Sequence, residues 1–393
     1  MWTFLAIAAS LLTGLVLLAG FRLLLPMRLG PWTTALLWTG LQAFSLLPLA
    51  LLALRRQIHP GRLTEALTFA GWVVVGWLSV ALVILLARDL GLLALRLTGG
   101  AQAFAAGTPP QWTELGRQAI TSRLASLLIA GAATLFVAVG IAGAYRVTRV
   151  VRVDLPFPGL APGLRGLTIA QISDLHIGPG LRRGSVERVT RAVNELKPNL
   201  IVFTGDLADG MPADLGREAQ PLAALEAPLG KWFITGNHEY YSDPLGWLQV
   251  ARDLGFGTLV NEHVLLRRGD GRLLLAGVPD LHGGRMLPAH ASRPDLALDG
   301  APAADLRILL AHQPGSAVAA EAAGYDLMLS GHTHGGQYLP WNWVAARANL
   351  YLKGLHRHGR LWVYVSQGTG YWGPPIRLGA PAEITLLTLR PAD

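Results

Sequence analysis

Gly331-His332-Thr333-His334-Gly335-Gly336-Gln337 sets two imidazoles one residue apart between glycines that free the backbone. Such a segment packs poorly and chelates well, because the flanking small residues let both rings turn toward one point. It follows a short apolar run, Leu327 to Ser330, and the same arrangement recurs upstream. Leu167 to Ile172 leads into Asp174 and His176, Leu200 to Thr204 into Asp206 and Asp209, Trp232 to Thr235 into Asn237, His238 and Glu239, and Leu306 to Ala311 into His312. Leu273 to Val278, Leu361 to Ser366 and Ile384 to Leu389 are further strand-like runs. Ser185 to Leu196 reads as an amphipathic helix, with Val186, Val189, Val193 and Leu196 on one face and Pro198 beyond its end. Strands alternating with helical segments predict an α/β fold, whose sheets gather ligands at the C-terminal ends of their strands. Five of the 11 histidines fall on such strand-end loops.

Taken singly, most of these blocks have an ordinary reading. Asp-x-His after a strand is a turn with a surface histidine, Gly-Asp is a common turn, and Gly-Asn-His-Glu is a helix start with Asn as its cap. Their occurrence together, each on a strand end, is what ordinary turns do not explain. The chain has no Cys. A disulfide framework and a thiolate metal site are therefore excluded, and a bound metal must be held by His, Asp, Asn or Glu.

The N-terminal half is different. A hydrophobic fraction of 51%, a charged fraction of 15% and a mean hydropathy of +0.38 are too apolar for an ordinary soluble chain. Thr3 to Leu25, Trp32 to Leu54, Phe69 to Ala87 and Leu124 to Tyr145 approach or exceed the roughly 20 residues that cross a bilayer as a helix. Residues 1–150 are expected to form an all-α transmembrane anchor of about four helices, with the bilayer as partner, and Gly99 to Gln118 reads as a loop between the last two. The first run lacks a basic segment before it, so it reads as an uncleaved anchor. Arg22, Arg28, Arg55, Arg56, Arg88, Arg146 and Arg149 flank the runs, and no charge appears deep inside one. The absence of an intramembrane ionisable residue argues against a transporter. Six basic residues fall on either side under both orientations, so the charge count assigns no side, although an even number of spans puts both ends of the chain on the same one. The net charge of +8 comes mostly from scattered Arg, with no basic stripe interleaved with aromatics, so no nucleic-acid partner is expected.

Asp-x-His, Gly-Asp-x-x-Asp, Gly-Asn-His-Glu, a single His and Gly-His-x-His, in that order from Leu167 onward, resemble the calcineurin-like metallophosphoesterases. The Gly-His-Thr-His-Gly-Gly-Gln form and the closing Val-Ser-Gln-Gly-Thr-Gly and Pro-Pro-Ile-Arg-Leu-Gly look like the bacterial membrane-associated branch. The resemblance implies a four-layer α/β/β/α sandwich over residues 155–393, in a multi-pass protein of a bacterial cell membrane. It implies two divalent metal ions. Asp174, His176, Asp206 and His334 would hold one, Asp206, Asn237, His312 and His332 the other, with Asp206 bridging. Mixed oxygen and imidazole donors without thiolate suit Mn, Fe or Zn. Two such ions lower the pKa of a shared water, the nucleophile, and stabilise phosphoryl oxygens during in-line displacement.

His238 would act as general acid, oriented by Asp209, with a structural support as its plainer reading. The implied reaction is hydrolysis of a phosphomonoester, phosphodiester or pyrophosphate bond in a phosphorylated small molecule or a lipid-linked or envelope substrate, as in the related UDP-diacylglucosamine pyrophosphatases. The alternative is a non-catalytic membrane sensor or scaffold that binds a phosphoryl ligand. One departure from the pattern matters: protein phosphatases of the superfamily place a phosphate-binding Arg where Gly210 stands, which disfavours that substrate. Arg182, Arg183, Arg285 and Arg377 remain as candidate substrate cations, and His356 and His358 read as a loop without a metal.

Overall fold

Runs that are apolar on every face form helices suited to lipid or to complete burial. The computed structural model describes residues 2–54, 61–106, 118, 122–146 and 148–392, and its N-terminal half contains α1 (Trp2–Ala19), α2 (Pro31–Leu54), α3 (Arg62–Ala106) and α4 (Arg123–Tyr145). Among the described residues, four helical stretches are long and apolar enough to cross a membrane: Leu5–Met27, Pro31–Leu54, Arg62–Thr98 and Arg123–Tyr145. Pro48 inside α2 lies against Gly71 of α3, where a Cβ would stand 2.6 Å from the proline ring. Only a glycine admits that approach.

Two expectations change here. The loop expected over Gly99 to Gln118 is helix as far as Ala106, because an Ala-rich segment offsets the roughly 1 kcal/mol cost of each of its two glycines. Residues 107–117 and 119–121 lie outside the described residues, as do Arg55 and Arg56. The helical unit also contains facing charges: Arg22 and Arg88 stand 3.0 and 2.9 Å from Asp89. What ends an apolar run in the sequence is the interior of a 45-residue helix, about 68 Å long at 1.5 Å per residue.

The chain divides into two compact units, Met1–Ala142 with Gly373–Ile376, and Gly143–Trp372 with Arg377–Asp393. The second contains strands β1 (Arg149–Pro158), β2 (Thr168–Ile172), β3 (Leu200–Phe203), β4 (Lys231–Phe233), β5 (Gly257–Thr258), β6 (Glu262–Arg268), β7 (Gly271–Gly277), β8 (Leu306–Leu310), β9 (Leu327–Ser330), β10 (Gly354–His358), β11 (Leu361–Val365) and β12 (Glu383–Ala392). They form two six-stranded sheets, ordered β1-β12-β2-β3-β4-β5 and β10-β11-β9-β8-β7-β6. Pairing is parallel through β2, β3, β4 and β5, and through β7, β8, β9 and β11; β12 against β2, β6 against β7 and β10 against β11 are antiparallel.

Ile169, Val202 and Ile234 of the first sheet meet Leu275, Ile308 and Leu329 of the second in a core between the sheets. The outer face of the first sheet packs on helices α5 (Arg183–Glu195) and, beyond the one-turn α6 (Asn237–Tyr241), α7 (Pro244–Asp253); that of the second packs on α8 (Ala317–Ala323). The result is the α/β/β/α sandwich expected. Strands covered on both faces need no polar alternation, which is why Leu-Ile-Val-Phe at 200–203 and Leu-Leu-Leu at 273–275 are uninterrupted. His356 and His358, read as loop, lie on β10.

Leu275 is fully buried between the sheets. Leu275→Ala should cost about 2 to 5 kcal/mol, read as a lower urea midpoint for the α/β unit of the detergent-solubilised chain.

Candidate metal centre

Sharp turns at the C-terminal strand ends bring the predicted residues together. Nine non-glycine residues among those described have positive φ, and five of them are Asp174, His176, Asp206, His332 and His334. Left-handed backbone costs an L-residue about 1 kcal/mol or more and persists only where its surroundings impose it.

Buried carboxylates impose it here. Glu239 accepts the backbone N–H groups of Asp206, Leu207 and Gly236 at 3.0, 2.8 and 2.7 Å, fastening the loop after β3 to that after β4. Burial, then repulsion from Asp206, pushes its carboxyl up to about 7. Asp174 accepts the His332 N–H at 3.0 Å, joining the loop after β2 to that after β9 and hence one sheet to the other. At Gly331 a Cβ would lie 2.2 Å from an Asp174 oxygen, and at Gly236 the same distance from Asp206 Oδ1.

The side chains form three clusters with potential ligand atoms within 4.8 Å of one another: Asp174, His176 and His334; His176, Asp206 and His238; and Asp206, His312 and His332. In the last, His312 directs Nδ1 to the Thr204 carbonyl at 2.7 Å and so donates from that nitrogen. The bare Nε2 then stands 3.1 Å from Asp206 Oδ2 and 3.1 Å from Asn237 Oδ1, while His332 Nδ1 approaches the same Asn237 oxygen at 2.9 Å. Three acceptors aimed at one another require a proton or a cation between them. Burial disfavours charge on His312, yet Asp206 outweighs it and raises its pKa well above the usual range. His332 is pushed down to about 3 by burial and by His312.

Asp209 Oδ1 accepts from His176 Nδ1 at 2.7 Å and from His238 Nδ1 at 2.8 Å. It therefore sets the tautomer of both rings, turning each Nε2 inward, with His176 Nε2 3.0 Å from His334 Nε2 and His238 Nε2 4.0 Å from Asp206. Burial works against a charge on His238, but Asp206 and Asp209 prevail and lift it to about 9. The Asp209 carboxyl, although burial opposes its ionisation, is held far below the usual range by His176 and His238. Rings of Tyr241 and Trp372 pack edge-on against His238 at 5.1 and 5.7 Å.

Arg377, one of the four candidate substrate cations, is 2% exposed and has an inward task. It donates to the carbonyls of His334, Gln367, Gly370 and Ala380 and to His334 Nδ1. Because arginine only donates, neutral His334 carries its proton on Nε2, facing His176. Arg183 is paired with Glu187 on α5. The roles of Arg377 and Glu239 lay outside the sequence reading, and only the Arg in Pro-Pro-Ile-Arg and the Glu in Gly-Asn-His-Glu hinted at them.

A family model described as calcineurin-like phosphoesterase matches residues 167–336. A Danio rerio protein named transmembrane protein with metallophosphoesterase domain is 38% identical over 262 residues, covering 64% of this chain and 60% of that one. Its Bos taurus namesake is 39% identical over 270 residues, covering 66% and 61%. An uncharacterized metallophosphoesterase of Aquifex aeolicus is 36% identical over 228 residues, covering 57% of this chain and 85% of that one. The chain belongs to the calcineurin-like metallophosphoesterases. It spans about three fifths of the length of the two animal relatives. The metallophosphoesterase blocks all fall at the sheet edge just described.

In metal-stripped protein, histidine NMR should show His238 titrating near 9, and Asp209→Asn should move it down toward the ordinary imidazole range near ~6.5. A histidine raised in the folded state stabilises fully below its unfolded pKa and loses that contribution as pH rises through the folded value. The His238 contribution should thus be complete below about 6.5 and fade through about 9, seen as a pH-dependent gap in urea midpoint between the wild type and His238→Asn.

Proposed function

We propose that this chain is a membrane-anchored hydrolase in which Asp174, His176, Asp206 and His334 hold one divalent cation, and Asp206, Asn237, His312 and His332 a second. The observation that carries the reading is His312 Nε2 standing 3.1 Å from both Asp206 Oδ2 and Asn237 Oδ1, a buried convergence of donor atoms that holds a proton on His312 in metal-free protein and that a cation would suit equally. Donors without thiolate suit Mn, Fe or Zn. When bound, two such ions supply a water of lowered pKa and positive charge for phosphoryl oxygens.

The chain's own residues supply the remainder. Asp209 holds His238 Nδ1, so donation to a leaving group comes from Nε2, and an imidazole already hydrogen-bonded through Nδ1–H can donate there only as imidazolium. The raised His238 pKa keeps that form at neutral pH. His176, fixed by the same carboxylate oxygen, presents its Nε2 lone pair to the cluster. Arg377, occupied with carbonyls, stabilises the loop that carries His334 and is not a substrate cation. The bond broken is a phosphomonoester, phosphodiester or pyrophosphate bond, and the four membrane-length helices associate it with a lipid-linked or envelope substrate. Four helices of membrane-crossing length support a multi-pass integral membrane protein, and the likeness of its closing motifs to the bacterial membrane-associated branch supports a bacterial cell membrane as its location.

The full chain in detergent with Mn should hydrolyse bis-p-nitrophenyl phosphate, and Asp206→Asn should remove both activity and bound metal. His238→Asn should lower kcat by ~10² to 10⁴ with metal content retained. Absence of activity above Asp206→Asn with each of Mn, Fe, Zn and Co would refute the hydrolase.

A further inference from the structure

Large apolar side chains exposed on the α/β unit are unevenly placed. Tyr241 follows β4, Met286 follows β7, Trp341, Trp343 and Val344 follow β9, and Trp372 follows β11. These six stand on segments leaving the C-terminal strand ends, the edge that carries the candidate ligands, whereas Leu245 on α7, Val318 on α8 and Leu296 between β7 and β8 are exposed singly elsewhere. The turns at the opposite edge, 196–199, 225–230, 268–271 and 324–326, expose no large apolar side chain. Scattered exposed apolar residues are unremarkable on a folded surface, but their concentration around one site marks a contact with something apolar.

Local structure supports this. In the helix Trp341–Ala348, Asn342 and Ala345 are half-buried while Trp341, Trp343 and Val344 are exposed, so its polarity is reversed relative to a helix on a soluble domain. Trp343 is 58% exposed. From Leu327 to Ala382 the sequence has no Asp or Glu, so this side of the rim presents no carboxylate to repel an anionic headgroup. The rim also reaches the chemistry, since Tyr241 and Trp372 pack on His238, where a leaving group must lie to receive its proton.

We infer that the rim seats the hydrocarbon part of an amphiphilic phosphate ester whose phosphoryl group reaches the Asp206 cluster. The inference rests on the hydrolase reading above and specifies its substrate class. The substrate is a phosphate ester with a long apolar chain, held by Trp343 and its neighbours while the polar end enters the cluster.

The test uses the full chain in phosphatidylcholine nanodiscs with Mn and three p-nitrophenyl alkyl phosphates, carrying ethyl, octyl and hexadecyl chains. In the wild type, kcat/KM should rise at least about tenfold from ethyl to hexadecyl, well within what burial of a few methylenes supplies. The double variant Met286→Ser with Trp343→Ser should leave ethyl turnover unchanged and remove most of the hexadecyl advantage, which separates a seat on the protein from partition into the disc. Equal kcat/KM for all chains, or an advantage that survives in the double variant, overturns the inference. An advantage that survives while the variant loses self-association would assign the rim to contacts between copies. If no ester is hydrolysed, the hydrolase reading fails by itself, and calorimetry with hexadecylphosphonate against ethylphosphonate decides the rim. A preference in the wild type that the double variant lacks upholds it, and equal affinities refute it.

Discussion

Carboxylates withdrawn from water are the constraint around which the α/β unit is organised. Asp174, Asp206 and Glu239 are each at most 2% exposed, and an uncompensated buried charge costs several kcal/mol. Compensation comes from backbone N–H groups, which is why the loops between strands and helices turn as tightly as they do. Glu239 takes three such groups and Asp174 takes that of His332. The left-handed conformation of five ligand candidates follows from this demand. Relaxing a loop would leave a buried oxygen without its donors, so local strain and charge compensation support each other.

The sandwich contributes position. Parallel strands end together, and β2, β3, β8 and β9 place Asp174, Asp206, His312 and His332 at one edge although they are spread over about 160 residues. Contact between the two sheets at that edge runs through polar atoms, whereas their main interface is aliphatic. The same edge carries the exposed aromatic residues, so one boundary of the fold combines its most polar interior with its most apolar surface.

Much of this was legible in the sequence for physical reasons. Strands covered on both faces appear as continuous apolar runs, and β2, β3, β8, β9 and β11 stood out on that account. Strands β1, β6 and β10 did not, because at the sheet margins they mix exposed and half-buried positions, and Arg-Val-Val-Arg-Val or Gly-Leu-His-Arg-His carries no clear period. The nine site candidates converge because their residue types have few other uses after a strand. Arg377 was ambiguous for the opposite reason: a lone Arg 43 residues from His334 gives no sign of whether it faces carbonyls or solvent. In the helical half the apolar runs were plain, but the end of α3 was not, since Ala-Gln-Ala-Phe-Ala-Ala continues a helix as readily as it begins a loop.

The single oxygen of Asp209 that receives both His176 and His238 has a thermodynamic consequence. One lone-pair donor cannot serve two imidazoles independently: a stronger pull from one ring weakens its hold on the other. The two rings are therefore held as one unit through Asp209, and a change at either alters the hold on the other. Substitutions at these three positions will not add, and the deviation from additivity measures how far the two rings depend on one shared oxygen.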